Sequence, residues 1–124
     1  KDNHLAALRA LGMNLKHIVA KAKQNAPPGL MLEVEVTTTQ EATEAIETGA
    51  DIIMLDNMNP DEMRQAVDLI AGRVKTEASG GITLANVAEV ARAGVDIISI
   101  GALTHSTRSL NISLELETQT IKLL

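Results

Sequence analysis

One spacing governs what this 124-residue chain can fold into: chemically similar segments return about every 22 residues. The segment Thr48-Gly-Ala-Asp-Ile-Ile-Met-Leu55 reappears 45 residues on as Ala93-Gly-Val-Asp-Ile-Ile-Ser-Ile100, two such modules later. Each copy is a short apolar run that follows a helix-ending glycine, as expected of a strand buried on both faces. Between the runs the apolar residues fall at helical spacing. The pattern predicts strands over 31–36, 52–55, 74–78 and 96–100, and helices over 40–48, 59–71 and 83–93. Asn59-Pro60 opens the second of these helices, with proline at its first turn. A helix over 5–25 precedes the first strand, weakened at Gly12 and stopped by Pro27-Pro28-Gly29. Residues 112–116 read as a last short strand or a helical turn. Strands alternating with helices imply an α/β fold with right-handed βαβ units and a parallel sheet.

Composition narrows the function. Cysteine is absent, which removes disulfides, thiolate metal sites and cysteine nucleophiles. Aromatic residues are absent too, so no ring or base can stack on this chain. A net charge of −5 argues against nucleic acid as a partner. No apolar run is long enough to span a membrane and no signal peptide is visible, so a cytoplasmic protein is expected. The charge is uneven. Residues 1–26 carry net +4, with Arg9, Lys16, Lys21 and Lys23 among them, and the rest carries −9. This basic segment is either a solvated helix face or a surface for an acidic partner. A chain that opens on Lys1 rather than Met is expected to be processed, trimmed or excised from something longer.

Parallel α/β folds place their chemistry at the carboxyl ends of the strands. Those ends hold Glu35, Asp56-Asn57, Ser79-Gly80-Gly81, and Gly101-Ala102 with Thr104 and His105 just beyond. Their spacings of 21, 23 and 22 residues put all four on one rim. Glu35 and Asp56 are then neighbouring carboxylates, hard oxygen ligands suited to Mg²⁺ with waters and a phosphate. The alternative is that they cap helices or pair with lysines. Glu33 shares the face of Glu35, and one of the two is expected to lie deeper, paired with a base. Ser79-Gly80-Gly81 and Gly101-Ala102 can admit an anion to backbone N–H groups at a helix start, or can simply turn the chain. His4 and His105 are read as following strand ends, and His105 either donates to a phosphate or caps a turn. His17 is read as solvated. No serine sits in a nucleophile elbow, and the acceptor-like Asn111-Ile112-Ser113 is read as coincidental.

These rim residues carry a resemblance. Lys1-Asp-Asn-His4, Glu33-Val-Glu-Val36, Gly49-Ala-Asp-Ile-Ile-Met-Leu-Asp-Asn57, Glu77-Ala-Ser-Gly-Gly-Ile82 and Gly101-Ala-Leu-Thr-His-Ser106 occur in order. Together, over about residues 1–117, they resemble the C-terminal barrel domain of the quinolinate phosphoribosyltransferase family. Leu55-Asp-Asn57 favours that family over a related molybdenum-transport-associated pyrophosphorylase. The resemblance implies parallel βα repeats forming part of a TIM-like barrel. It implies conversion of quinolinate and phosphoribosyl pyrophosphate to nicotinate mononucleotide, pyrophosphate and CO₂ in NAD biosynthesis, with Mg²⁺. It assigns Glu35 and Asp56 to the metal and ribose, and Ser79, Gly80, Gly81, Gly101 and Ala102 to phosphate, with His105 beside them. Lys1 matches a substrate-binding lysine. Family members are about twice this long and dimeric, and their N-terminal domain and early barrel strands hold the quinolinate carboxylates. Asn111 stands where they usually have Asp. Four or five βα units do not close an eight-stranded barrel. The competing readings are therefore an inactive half-barrel fragment that binds phosphate weakly and self-associates, or a different phosphate-binding barrel synthase.

Overall fold

The computed structural model describes residues 2–104, 110 and 112. The elements run α1 (Asp2–Ala10), α2 (Leu15–Asn25), β1 (Glu33–Val36), α3 (Thr39–Ile46), β2 (Ile52–Asp56), α4 (Pro60–Ile70), β3 (Lys75–Ser79), α5 (Val87–Arg92) and β4 (Ile97–Ile98), followed by a 3₁₀ turn over Gly101–Leu103. The four strands form one sheet in the order β1-β2-β3-β4. All three pairings are parallel. This is an α/β fold, part of a TIM-like barrel.

The predicted helix over 5–25 is two helices. Gly12 takes a left-handed φ of 78°. Two residues later Asn14 adopts an extended backbone and caps α2, its side chain accepting from the His17 N–H at 2.9 Å. A residue that bonds its own backbone competes with the helix interior, so glycine and asparagine together break a continuous apolar stripe. His4 consequently lies in α1 and does not follow a strand. His17 is exposed near the start of α2. The predicted helix over 83–93 also begins late. Asn86 Oδ1 accepts from Thr83 N–H at 2.7 Å and fixes a turn over 83–86, so α5 starts at Val87. Ile112 is not in a strand, and the rest of 112–116 lies outside the described residues.

The prediction for α4 holds closely. Asn59 Oδ1 accepts from Asp61 and Glu62 N–H, both at 3.0 Å, while the Glu62 carboxylate accepts from Asn59 N–H at 2.9 Å. This reciprocal capping with proline behind it starts the helix sharply.

The helices pack on one face of the sheet. Val34, Val36, Ile53, Leu55 and Ala78 from the strands meet Ala42, Ala45, Met63, Ala66 and Ile70 from α3 and α4 there, all buried. Strand residues alternate between faces. The opposite face therefore collects Glu33, Glu35, Met54, Asp56, Glu77 and Ser79. The basic residues of the first two helices are partly spent within the chain: Arg9 pairs with Glu41 at 2.9 Å and Lys23 with Asp51 at 3.5 Å. Lys16 and Lys21 are exposed. Among the described residues, no helix is long and apolar enough to cross a membrane.

Candidate functional site

Strand register decides which side chains meet. Glu35 stands beside Met54, and Met54 beside Glu77. One row nearer the carboxyl ends, Asp56 stands beside Ser79. Ser99 continues that row, with its N–H bonded to the Ala78 carbonyl at 2.9 Å. The rim thus presents Asp56, Ser79 and Ser99 side by side, with Glu35 and Glu77 a row beneath.

The two glycine loops do come together. Ser79, Gly80, Gly81, Ser99, Gly101 and Ala102 line one open cavity of about 550 Å³. Five of these six stand in the strand-end motifs of the sequence; Ser99 joins them because counting by twos from Ile97 places it on the same face. Thr83 and Thr104 line the cavity as well. The positions of Lys1 and His105 lie outside the described residues.

Gly80 serves a purpose beyond flexibility. Its φ is +82°, and a Cβ there would sit 2.4 Å from Asn57 Oδ1 and 2.8 Å from Asn57 N. Asn57 is itself left-handed at φ 53°. Asparagine tolerates that conformation better than most residues. Its N–H donates to the Ser79 carbonyl at 2.9 Å and its Nδ2 to Asp56 Oδ2 at 2.7 Å. Asn57 therefore ties the β2 rim carboxylate to the β3 loop, and Gly80 leaves it the room. Gly81, at φ +62°, has open space where its Cβ would stand.

Glu35 and Asp56 are on one face but offset by two residues along adjacent strands. Strand dimensions put their Cα atoms roughly 8 Å apart. Among the described residues no group of three or more His, Asp or Glu is gathered for a metal ion. Mg²⁺ keeps several waters and uses one or two carboxylates; Glu35 and Asp56 are hard-oxygen donors of that kind, but neither lines the loop cavity, and Glu35 borders instead a cavity shared with Leu5, Leu8 and Ile18.

The Glu77 carboxyl stands against Glu33. Desolvation, the hydrogen bond to Glu77 and the charges of Glu77 and Glu35 push its pKa from the ordinary 4.5 up to about 7. Glu77 is buried and accepts from Ser99 Oγ at 2.5 Å.

The repeated aspartates prove to be structural ties. Asp96 Oδ2 accepts from Thr76 N–H at 2.8 Å and Thr76 Oγ1 at 2.9 Å, which holds its carboxyl below the usual carboxylate range. Asp51 Oδ2 accepts from Leu32 N–H at 2.7 Å, with the same effect, aided by Lys23. Each Asp begins a strand and bonds the backbone at the start of its neighbour.

The family model for the quinolinate phosphoribosyl transferase C-terminal domain matches residues 1–115. The chain belongs to this family. As a quinolinate phosphoribosyl transferase domain it is 45% identical, over 93% of its length, to a protein of Bacillus subtilis named as a probable carboxylating nicotinate-nucleotide pyrophosphorylase. A Methanocaldococcus jannaschii protein of the same name is 42% identical over 94%. The solved structure of NadC from Streptococcus pyogenes superposes with a TM-score of 0.76 at 42% identity, covering 89% of this chain and 37% of that one. The chain spans 38% and 42% of the two curated relatives' lengths.

Proposed function

We propose that this chain is the C-terminal barrel part of a pentosyltransferase that makes nicotinate mononucleotide from quinolinate and phosphoribosyl pyrophosphate. In that reaction the pyridine nitrogen bonds to the ribose anomeric carbon as the bond to pyrophosphate breaks. The carbon–carbon bond to the 2-carboxylate also breaks, CO₂ leaves, and the ring carbon takes up a proton. The observation that carries the reading is the cavity between the β3 and β4 loops, in a chain that matches the family along its length.

The chain's own residues bind and orient. Backbone N–H groups of the glycine loops Ser79–Gly81 and Gly101–Ala102 hold the 5′-phosphate, as glycine lets the backbone approach an anion closely. Asp56, steadied by Asn57, and Glu35 face the ribose and its leaving group, where positive charge develops and positioning supplies most of the acceleration. These two carboxylates would hold Mg²⁺, which when bound neutralises charge on the departing pyrophosphate. Lys1 and His105 belong to the same proposal as contacts to substrate oxygens. A homodimer in which each subunit completes the other's site, and a cytoplasmic location, also belong to it, although one Nicotiana glauca relative is named as mitochondrial.

A second reading applies to the 124-residue chain by itself: it binds phosphate and does not turn over, since the bases for a dicarboxylate belong to the family's earlier segments. A phosphate titration followed by amide chemical shifts tests the cavity. Shifts at 79–82 and 101–102 are expected at millimolar phosphate. Glu35→Gln should leave them unchanged and weaken only a Mg²⁺-dependent component. Shifts confined to Lys16, Lys21 and Lys23 would show that the loops are only turns. Quinolinate turnover by the pure chain at an ordinary enzyme rate, roughly 1–10³ s⁻¹, would overturn the second reading.

A further inference from the structure

Ser99 reaches the anion cavity with its hydrogen already committed. A serine hydroxyl carries one hydrogen and two lone pairs. Ser99 Oγ donates to Glu77 Oε1 at 2.5 Å, a short hydroxyl–carboxyl bond. Glu77 is only 9% exposed. Its oxygens have little access to water, so the bond to Ser99 is costly to release. Ser99 itself is exposed, and its remaining lone pairs are free to face the cavity it lines.

An ionised phosphate oxygen offers lone pairs only, and set against Ser99 it would find no donor. A hydroxyl group would find an acceptor. In the same row Asp56 is likewise an acceptor, with Ser79 between the two. Within the cavity Ser99 offers an acceptor beside the two glycine loops, which are read as the anion cradle. That is the arrangement for one anionic and one hydroxylated end of a single ligand.

We propose that Ser99 is a specificity residue that accepts a hydrogen bond from a sugar hydroxyl while the 79–81 and 101–102 loops hold the phosphate of the same molecule. The inference rests on reading those loops as an anion cradle and adds which part of the ligand Ser99 recognises.

The test is calorimetric or NMR titration of the chain with inorganic phosphate, methyl phosphate and ribose 5-phosphate. Wild type should bind ribose 5-phosphate roughly tenfold tighter than methyl phosphate, the worth of one or two hydrogen bonds. Ser99→Ala should shrink that preference several-fold and leave inorganic phosphate within about twofold. Ser99→Thr, which keeps the hydroxyl, should restore it. Equal binding of methyl and ribose phosphates by wild type overturns the proposal without any variant, even if Ser99→Ala fails to fold. An unchanged preference in a folded Ser99→Ala protein, or an equal loss of all three ligands, overturns it as well. Failure of every ligand to bind wild type would instead remove the anion cradle, and this inference with it.

Discussion

Gly80 and Gly81 are adjacent, share a left-handed backbone, and differ in what a methyl group would meet. That difference makes a controlled experiment. Gly81→Ala adds a Cβ into open space at φ +62°, so its cost is backbone strain alone, about 1–2 kcal/mol. Gly80→Ala carries a similar strain at φ +82° and also sets its Cβ 2.4 Å from Asn57 Oδ1 and 2.8 Å from Asn57 N. Real Cβ atoms do not approach so closely, and the backbone nitrogen cannot rotate away as a side-chain tip can. Forced rearrangement of a packed site costs about 1–3 kcal/mol more. Gly80→Ala should therefore destabilise by roughly 2–5 kcal/mol, a large part of the 5–15 kcal/mol a domain possesses.

Urea unfolding of wild type, Gly80→Ala and Gly81→Ala, followed by circular dichroism, measures the gap. The expected order is wild type, then Gly81→Ala, then Gly80→Ala, with at least about 1 kcal/mol between the variants. The double change Gly80→Ala with Asn57→Gly removes the obstructing side chain while keeping the left-handed turn, so it should recover part of the loss. Equal midpoints for the two alanine variants would refute the argument, because strain is common to both and only the Asn57 contact separates them.

Three further outcomes follow from other contacts. Asn59→Ala removes the acceptor for Asp61 and Glu62 N–H and should cost about 1 kcal/mol in denaturant unfolding. Asp96→Ala strips the buried Thr76 of its acceptor and should cost about 1–3 kcal/mol at pH 7. Since the folded state holds the Asp96 carboxyl below its ordinary range, that contribution is present above the ordinary Asp pKa and fades as pH falls through the lower folded value; a cost that stays constant to pH 2 would contradict it. Glu33 has the opposite sign. Its folded pKa of about 7 lies above 4.5, so its support for the fold is complete below 4.5 and is lost as pH rises through 7. Glu33→Gln should accordingly melt higher than wild type at pH 8 and close to it at pH 4.

Much of this architecture was readable because apolar runs separated by about 22 residues leave a parallel βα arrangement as the economical solution. The capped start of α4 was legible in Asn59-Pro60, since capping is a local event. What the pattern missed were places where a polar side chain turned on its own backbone. Asn14 and Asn86 each sit in an apolar periodicity that suggests helix, and each ends or delays the helix by accepting a nearby N–H. The meeting of the two glycine loops was legible because they are contiguous glycine motifs at strand ends. Ser99 was not, because its importance depends on Glu77, 22 residues away, taking its hydrogen.

The 45-residue repeat carries a different lesson about where function resides. Its most chemically distinctive residue is the aspartate, Asp51 in one copy and Asp96 in the other, and both are consumed in tying one strand's start to its neighbour. They stand at the amino ends of β2 and β4, the stabilising end of such sheets. The copies diverge at the carboxyl ends, where Met54-Leu55-Asp56-Asn57 in one is matched by Ser99-Ile100-Gly101-Ala102 in the other. A repeated module can conserve its ties because every strand start needs the same backbone bonds. A rim that takes the proposed sugar phosphate must differ from strand to strand, since such a ligand presents an anion in one direction and hydroxyls in another. On the proposed function, the acceptors Asp56 and Ser99 and the glycine loops at 79–81 and 101–102 answer that asymmetry, so the divergence of the two copies marks the proposed site more sharply than their agreement does.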